Sequence, residues 1–275
     1  MMTGPILAAG PQTVVTGAWS RTPAHAHELA EALGVTAFDD LDGLFDTCDA
    51  VAIAVTPEAQ PALAIRAARA GKTLLLEKPL GADLAGAQSI VDVVGETGVG
   101  TLVMLTYRFD PALPEFLAEV ERIQPVGGRA CFISGAFLGG PFANGWRLER
   151  GAVLDIGPHV LDMLEAGLGE IVTVAAVGDP LGWVSVNCTH ASGATSNASM
   201  CCTAATKSGR TEIEVYSPVG VASYNGRGVD HAARADQIRT DIAAVAGGTA
   251  HHANVAQGLH LQRLVGDIEA QLRQT

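Results

Sequence analysis

Two short segments of this sequence combine residue types that can move protons. The first, Leu74-Leu75-Leu76-Glu77-Lys78-Pro79, is an apolar run ending in a carboxylate, an amine and a proline. The second is Gly151-Ala152-Val153-Leu154-Asp155-Ile156-Gly157-Pro158-His159-Val160-Leu161-Asp162. Asp155 and His159 are four apart, so on a helix they share one face. A carboxylate beside an imidazole can orient the ring and hold its proton near neutral pH, which suits a general base. Pro158 places the pair in the first turn of such a helix, where a missing N–H costs nothing. Two other readings fit the same spacing. One is a helix start with no chemical role. The other is a metal site built from Asp155, His159 and Asp162, for which no fourth ligand is evident.

The elements that must position these residues fall into two styles. Over the first hundred residues, short apolar runs at 13–19, 35–38, 50–55, 73–76 and 101–105 read as strands. Amphipathic stretches at 23–33, 58–70 and 83–96 read as helices between them. That alternation implies a doubly wound parallel sheet, and the run at 50–55 has the look of a strand buried on both faces. Glu77-Lys78-Pro79 then closes a strand at the carboxyl edge of the sheet, where ligands bind in folds of this kind. After residue 106 the pattern changes. A helix at 111–123, a strand at 129–137, a Gly-, Pro- and Asn-rich loop at 139–145 and a helix at 155–168 come first. Runs with period two follow at 171–178, 183–190, 195–204, 210–216 and 219–224, implying a mainly antiparallel sheet, and helices at 231–246 and 254–273 end the chain. The expected division is a Rossmann-like domain at 1–106 and an α+β domain at 107–275.

With both segments so placed, the chain resembles the Gfo/Idh/MocA (glucose-fructose oxidoreductase/inositol dehydrogenase) family. Glu77-Lys78-Pro79 after a late Rossmann strand and the G-x-x-x-D-x-G-x-H-x-x-D segment at 151–162 carry the resemblance. Tyr107-Arg108-Phe109 and Trp146-Arg147 add to it. The resemblance implies NAD(P)-dependent hydride transfer to or from a hydroxyl or carbonyl of a sugar, inositol or related polyol. It implies that Lys78 lies by nicotinamide and substrate and assists proton movement, that His159 is the base, and that Asp155 orients substrate or base. Glu77, Thr56 and Pro57 are expected along the cofactor, and Tyr107, Arg108, Trp146 and Arg147 at the substrate. The family often carries Asn and His just beyond Thr56-Pro57; Glu58 and Gln60 stand there instead. The second Rossmann strand ends Trp19-Ser20-Arg21-Thr22 without an acid to hold the ribose 2′-hydroxyl of NAD. Ser20 and Arg21 therefore tilt the expectation toward NADP over NAD, unless Arg21 is only a solvated charge. A homodimer or homotetramer is implied as well.

One departure stands out. A Rossmann half opens with a strand and a G-x-G-x-x-G turn into a helix that holds the pyrophosphate. Residues 1–10 here read as the end of that first helix, and the glycine turn does not occur in a strand-to-helix context. The expected sheet is thus an incomplete Rossmann fold lacking strand one, with two strand edges unpaired. Three explanations are open: a true start roughly 15–20 residues upstream, a natural loss, or another segment filling the gap. The loss would favour an alternative function, a non-catalytic binding or regulatory protein on the same fold.

Composition narrows the partners. The 275 residues carry 17 Lys plus Arg against 29 Asp plus Glu, a formal net charge of −12, which repels nucleic acid and anionic membrane. Five cysteines without CxxC spacing argue against a disulfide framework and for a reducing, cytoplasmic setting. The opening residues lack the pattern of a secretory leader, and no G-x-S-x-G elbow points to a serine hydrolase. No metal is expected.

Overall fold

Most of the helices and strands of the computed structural model, which describes residues 3–274, grow from the runs identified above. In chain order they are α1 (Thr3–Ala8), β1 (Gly17–Ala18), α2 (Pro23–Leu33), β2 (Thr36–Ala37), α3 (Leu41–Phe45), β3 (Ala50–Ile53), α4 (Gln60–Arg69), β4 (Thr73–Leu76), α5 (Leu84–Thr97) and β5 (Thr101–Val103). A 3₁₀ turn (Thr106–Phe109) leads to α6 (Leu113–Ile123), β6 (Gly127–Ile133), α7 (Gly145–Leu168), β7 (Ile171–Gly178), β8 (Val184–His190) and β9 (Thr195–Cys201). The chain then runs through β10 (Arg210–Ser217), β11 (Gly220–Asn225), α8 (His231–Ala246) and α9 (Val255–Leu272). No described helix is long and apolar enough to cross a membrane.

These elements form two units. The first contains the residues up to Met104 together with His231–Leu259. Its strands make two parallel sheets, β1–β2 and β3–β4–β5, and no strand joins them among the described residues. This split is what a doubly wound sheet without its first strand should show. β4 is buried along its whole length, with Leu74, Leu75 and Leu76 at 1% exposure or less. β3 is not: Ala52 is exposed and Val51 half-buried, against the expectation for residues 50–55. The reason is that β3 has a sheet neighbour on one side only. Asp40 and Asp83 accept hydrogen bonds from the amides of Gly43 and Gly86 and so start α3 and α5.

The expected partition at residue 106 misses one crossing. The chain leaves the first unit after Met104, but α8 returns to it. Ile238, Ile242 and Val245 are buried, and Val245 lies against Gly100, where an added Cβ would come within 2.8 Å of Cγ1. Arg239, 6% exposed, donates from Nη1 to the carbonyl of Ile6 (2.9 Å) and from Nε to Gln12 (3.2 Å), holding the carboxyl end of α1. Past α8, the amide of Val103 donates to the carbonyl of Ala253, so the chain adds to the free side of β5. Apolar periodicity gives α8 its helix but does not name the sheet it covers.

The second unit contains Leu105–Asp230 and the residues from His260 onward. Its six strands are ordered β11-β10-β6-β9-β8-β7, antiparallel except for the parallel pair β6–β9. Alternation sorts the two faces. Val184, Val186, Cys188 and His190 of β8 are buried on the inner one, with Asn187 and Thr189 exposed on the other. There Thr173, Ala175, Asn187, Thr195 and Asn197 line a shallow trough of about 510 Å³.

Candidate active site

Each unit carries one of the two segments. In the first, β4 ends at Leu76 and delivers Glu77, Lys78 and Pro79, with a cis peptide bond between Lys78 and Pro79. The turn is held by Gln60, a residue the sequence marks only as a departure from the family pattern. Its carboxamide is 1% exposed, and Nε2 lies within hydrogen-bonding reach of the carbonyls of Glu77 (2.8 Å), Pro79 (3.1 Å) and Leu80 (3.1 Å). Oε1 accepts from the amide of Glu77 at 2.9 Å. Thr3 donates to the Glu77 carboxylate at 3.1 Å. Thr56 and Pro57 follow β3, and the carbonyl of Thr56 accepts from the amides of Ala59 and Gln60. Ser20 and Arg21 follow β1, with Arg21 exposed and the Ser20 hydroxyl accepting from the amide of Thr22 (3.3 Å). All the residues expected at the cofactor therefore sit beyond the carboxyl ends of parallel strands.

In the second unit the G-x-x-x-D-x-G-x-H segment lies inside α7, which is interrupted at Gly151 (φ 74°, ψ −165°). A side chain cannot be accommodated there, because its Cβ would meet the carbonyl oxygen of Pro180 at 1.9 Å, in a backbone region open mainly to glycine. Pro158 is inside the helix that resumes after the break, not in its first turn as the sequence suggests. Helical structure begins ahead of the motif, at Gly145 where the loop rich in Gly, Pro and Asn ends, and not at Asp155 as expected.

Every residue from Gly151 to Leu164 is buried, Asp155 (7% exposed), His159 (8%) and Asp162 (1%) among them. Ionisable groups so enclosed need partners. Asp155 receives Arg147 Nε at 3.2 Å. Eight residues of unbroken helix would separate the two by about 12 Å of rise, so the break at Gly151 is what lets them meet. The Arg147 guanidinium also lies over the rings of Trp146 (4.5 Å) and Phe142 (5.6 Å). Asp162 takes a two-pronged contact from Arg108, Nε to Oδ2 at 2.7 Å and Nη2 to Oδ1 at 2.9 Å. Arg108, expected at the substrate, is thus turned onto a buried carboxylate of the neighbouring helix. The ring of Tyr107 stands edge-on to that of His159, centroids 5.4 Å apart. Among the described residues no group of three or more His, Cys, Asp or Glu is placed to hold a metal ion.

Residues 1–105 match the model of the family described as Gfo/Idh/MocA, oxidoreductase family, NAD-binding Rossmann fold. That likeness to the Gfo/Idh/MocA family covers the first 105 of the 275 residues. Among its curated relatives, 1,5-anhydro-D-fructose reductase of Ensifer adhaerens is 33% identical over 177 residues, 61% of this chain and 52% of the relative. Levoglucosan dehydrogenase of Pseudarthrobacter phenanthrenivorans is 30% identical over 168 residues, 56% of this chain and 43% of the relative. The chain thus spans about half the length of the curated relatives it matches. The fold likeness extends further: an oxidoreductase domain protein from Kribbella flavida superposes with a TM-score of 0.86 over 99% of this chain and 93% of its own, at 19% identity. The second unit gathers Asp155, His159, Tyr107, Trp146 and Arg147 around one stretch of helix. Sequence reasoning missed Gln60 and the role of Gly151.

Proposed function

We propose that this chain works as an NAD(P)-dependent oxidoreductase on a hydroxyl or carbonyl of a sugar, inositol or related polyol. The observation that carries the reading is the buried pair Asp155 and His159 on one helical face, the carboxylate engaged by Arg147 and the imidazole flanked by Tyr107. A bound nicotinamide supplies the hydride acceptor or donor. His159 takes the proton of the reacting hydroxyl, or returns it in the reverse direction, a step worth typically about 10²–10⁴-fold. Asp155 would fix the orientation of substrate or base, and Lys78, on the family resemblance, would assist proton movement. Trp146 and Arg147 flank the substrate. Glu77, Thr56 and Pro57 would line the cofactor and Ser20 with Arg21 would meet its adenosine ribose, with NADP favoured over NAD because no acid follows β1. The names of the curated relatives, reductases and dehydrogenases, support this over a non-catalytic role for the fold. Five free thiols and no disulfide among the described residues support a reducing cytoplasm, and the open sheet face supports a homodimer or homotetramer.

The test is a panel of sugars and polyols with NADH, NADPH and their oxidised forms, read at the nicotinamide absorbance for the full-length protein. Lys78→Ala and His159→Ala should each abolish turnover while the protein stays folded. Wild-type rates in both variants would remove the proposal. Light scattering at micromolar concentration should give a mass of two or four chains.

A further inference from the structure

Tyr107 was expected to touch substrate, yet its surroundings suit a different task. Its ring lies between two others at nearly right angles to it: His159 at 5.4 Å (78°) and Tyr224 at 6.2 Å (77°). Tyr224 is itself fixed. It is 5% exposed, packs against Phe116 at 6.1 Å, and donates its hydroxyl to Asp110, a carboxylate 4% exposed whose other oxygen accepts from the amide of Ala112. The chain also approaches the ring closely at Gly226. A Cβ on Gly226 would lie 2.6 Å and 3.1 Å from two ring carbons of Tyr107. A void of about 10 Å³, near the size of a single water, borders Tyr107, His159 and Tyr224. A smaller side chain at 107 would open onto that void and leave the imidazole room to turn.

We infer, on the oxidoreductase reading, that Tyr107 is a positioning residue: its ring, braced by Tyr224 and Gly226, sets the plane of the His159 imidazole. Edge-to-face aromatic pairs have a preferred geometry, and a base displaced by about 1 Å loses on the order of 10²-fold in rate. Gly226 gives an independent handle, because Gly226→Ala pushes on the Tyr107 ring without removing it.

The experiment uses full-length protein and three variants: Tyr107→Leu, Gly226→Ala and Tyr107→Phe. Steady-state kinetics should show kcat falling about 10- to 100-fold in the first two with KM within about twofold, and Tyr107→Phe should rescue the rate lost in Tyr107→Leu. Nitrogen-detected NMR of the imidazoles, with the His159 signal identified by its loss in His159→Gln, should show its pH titration displaced in Tyr107→Leu and Gly226→Ala and restored in Tyr107→Phe. If Tyr107→Leu does not fold, Gly226→Ala alone decides. A His159 signal unmoved in the folded variants would overturn the inference, as would a Tyr107→Phe whose KM rises as far as that of Tyr107→Leu. Should wild-type protein oxidise no sugar at all, the functional reading fails while the NMR arm still judges the positioning.

Discussion

Gln60 and Glu77 exchange hydrogen bonds in both directions: the amide of Glu77 donates to Oε1 of Gln60 at 2.9 Å, and Nε2 of Gln60 donates to the carbonyl of Glu77 at 2.8 Å. One buried carboxamide thereby satisfies backbone groups on both sides of Lys78. Gln60→Leu keeps the volume and strands those groups, each at a cost of about 1–3 kcal/mol. Urea unfolding should report a loss of about 2–4 kcal/mol, and turnover should fall because the turn that carries Lys78 is no longer held. Gln60→Glu should be no better, since a carboxylate cannot donate to carbonyls. Unfolding midpoints equal to wild type in both variants would count against Gln60 as the keystone of the turn.

Arg108 and Asp162 make a second test. Arg108→Ala leaves a carboxylate 1% exposed without its guanidinium, and breaking such a pair costs about 3–5 kcal/mol. The apolar double variant Arg108→Met/Asp162→Leu should be markedly more stable than the single one, because no charge is left behind. Denaturant titrations of the two compare directly. If Arg108 served substrate instead, Arg108→Ala would raise KM and leave the unfolding midpoint alone.

The elements differ in how far they could be read from sequence, and the differences are physical. β4 and the helix at 83–96 are legible because burial on both faces and an Asp cap leave local marks. β6 is expected to reach residue 137 but ends at Ile133; beyond it the chain keeps isolated backbone bonds, from Ser134 to Cys201 and from Phe137 to Cys202, without regular pairing to β10. Lys78, Asp155 and His159 are visible by type and spacing. Gln60 is not, because a carboxamide facing three carbonyls looks like any polar residue until the chain is folded. The turning of Arg108 toward Asp162 joins residues 54 apart and leaves no periodic trace.

His260 supplies a pH prediction. Its Nε2 is 2.6 Å from Oε1 of Glu165, an oxygen that also accepts from the amide of Ile171 at 2.8 Å. The hydrogen bond to Glu165 raises the His260 pKa above its ordinary value, with burial opposing and the charges of Glu165 and Glu170 adding. A raised folded value means stabilisation fully present below the unfolded pKa of about 6.5 and lost as pH climbs through the folded one. Melting temperature should therefore drop between pH 6 and pH 9 by more in wild type than in His260→Gln. Parallel curves would refute the coupling.

The cysteines give a prediction about reactivity. Burial pushes the Cys188 thiol up to about 11, with a hydrogen bond involving Ser196 opposing. At pH 8 almost none of it is thiolate, the form that attacks alkylating reagents. Timed iodoacetamide labelling with mass spectrometry should find Cys48 and Cys131, both half-buried, modified first, and Cys188 only when the protein is unfolded. Early labelling of Cys188 in native protein would contradict that order.

The interruption at Gly151 has a bearing on how inactive variants of this protein are interpreted. The residue bears no proton and no charge, yet the approach of Arg147 to Asp155 is inherited from its backbone angles and from the Pro180 carbonyl that fills the space a side chain would take. A mutational screen scored only on turnover would file any replacement there beside changes at the general base. The fault would belong to the shape of the main chain, four residues away from the carboxylate that registers it.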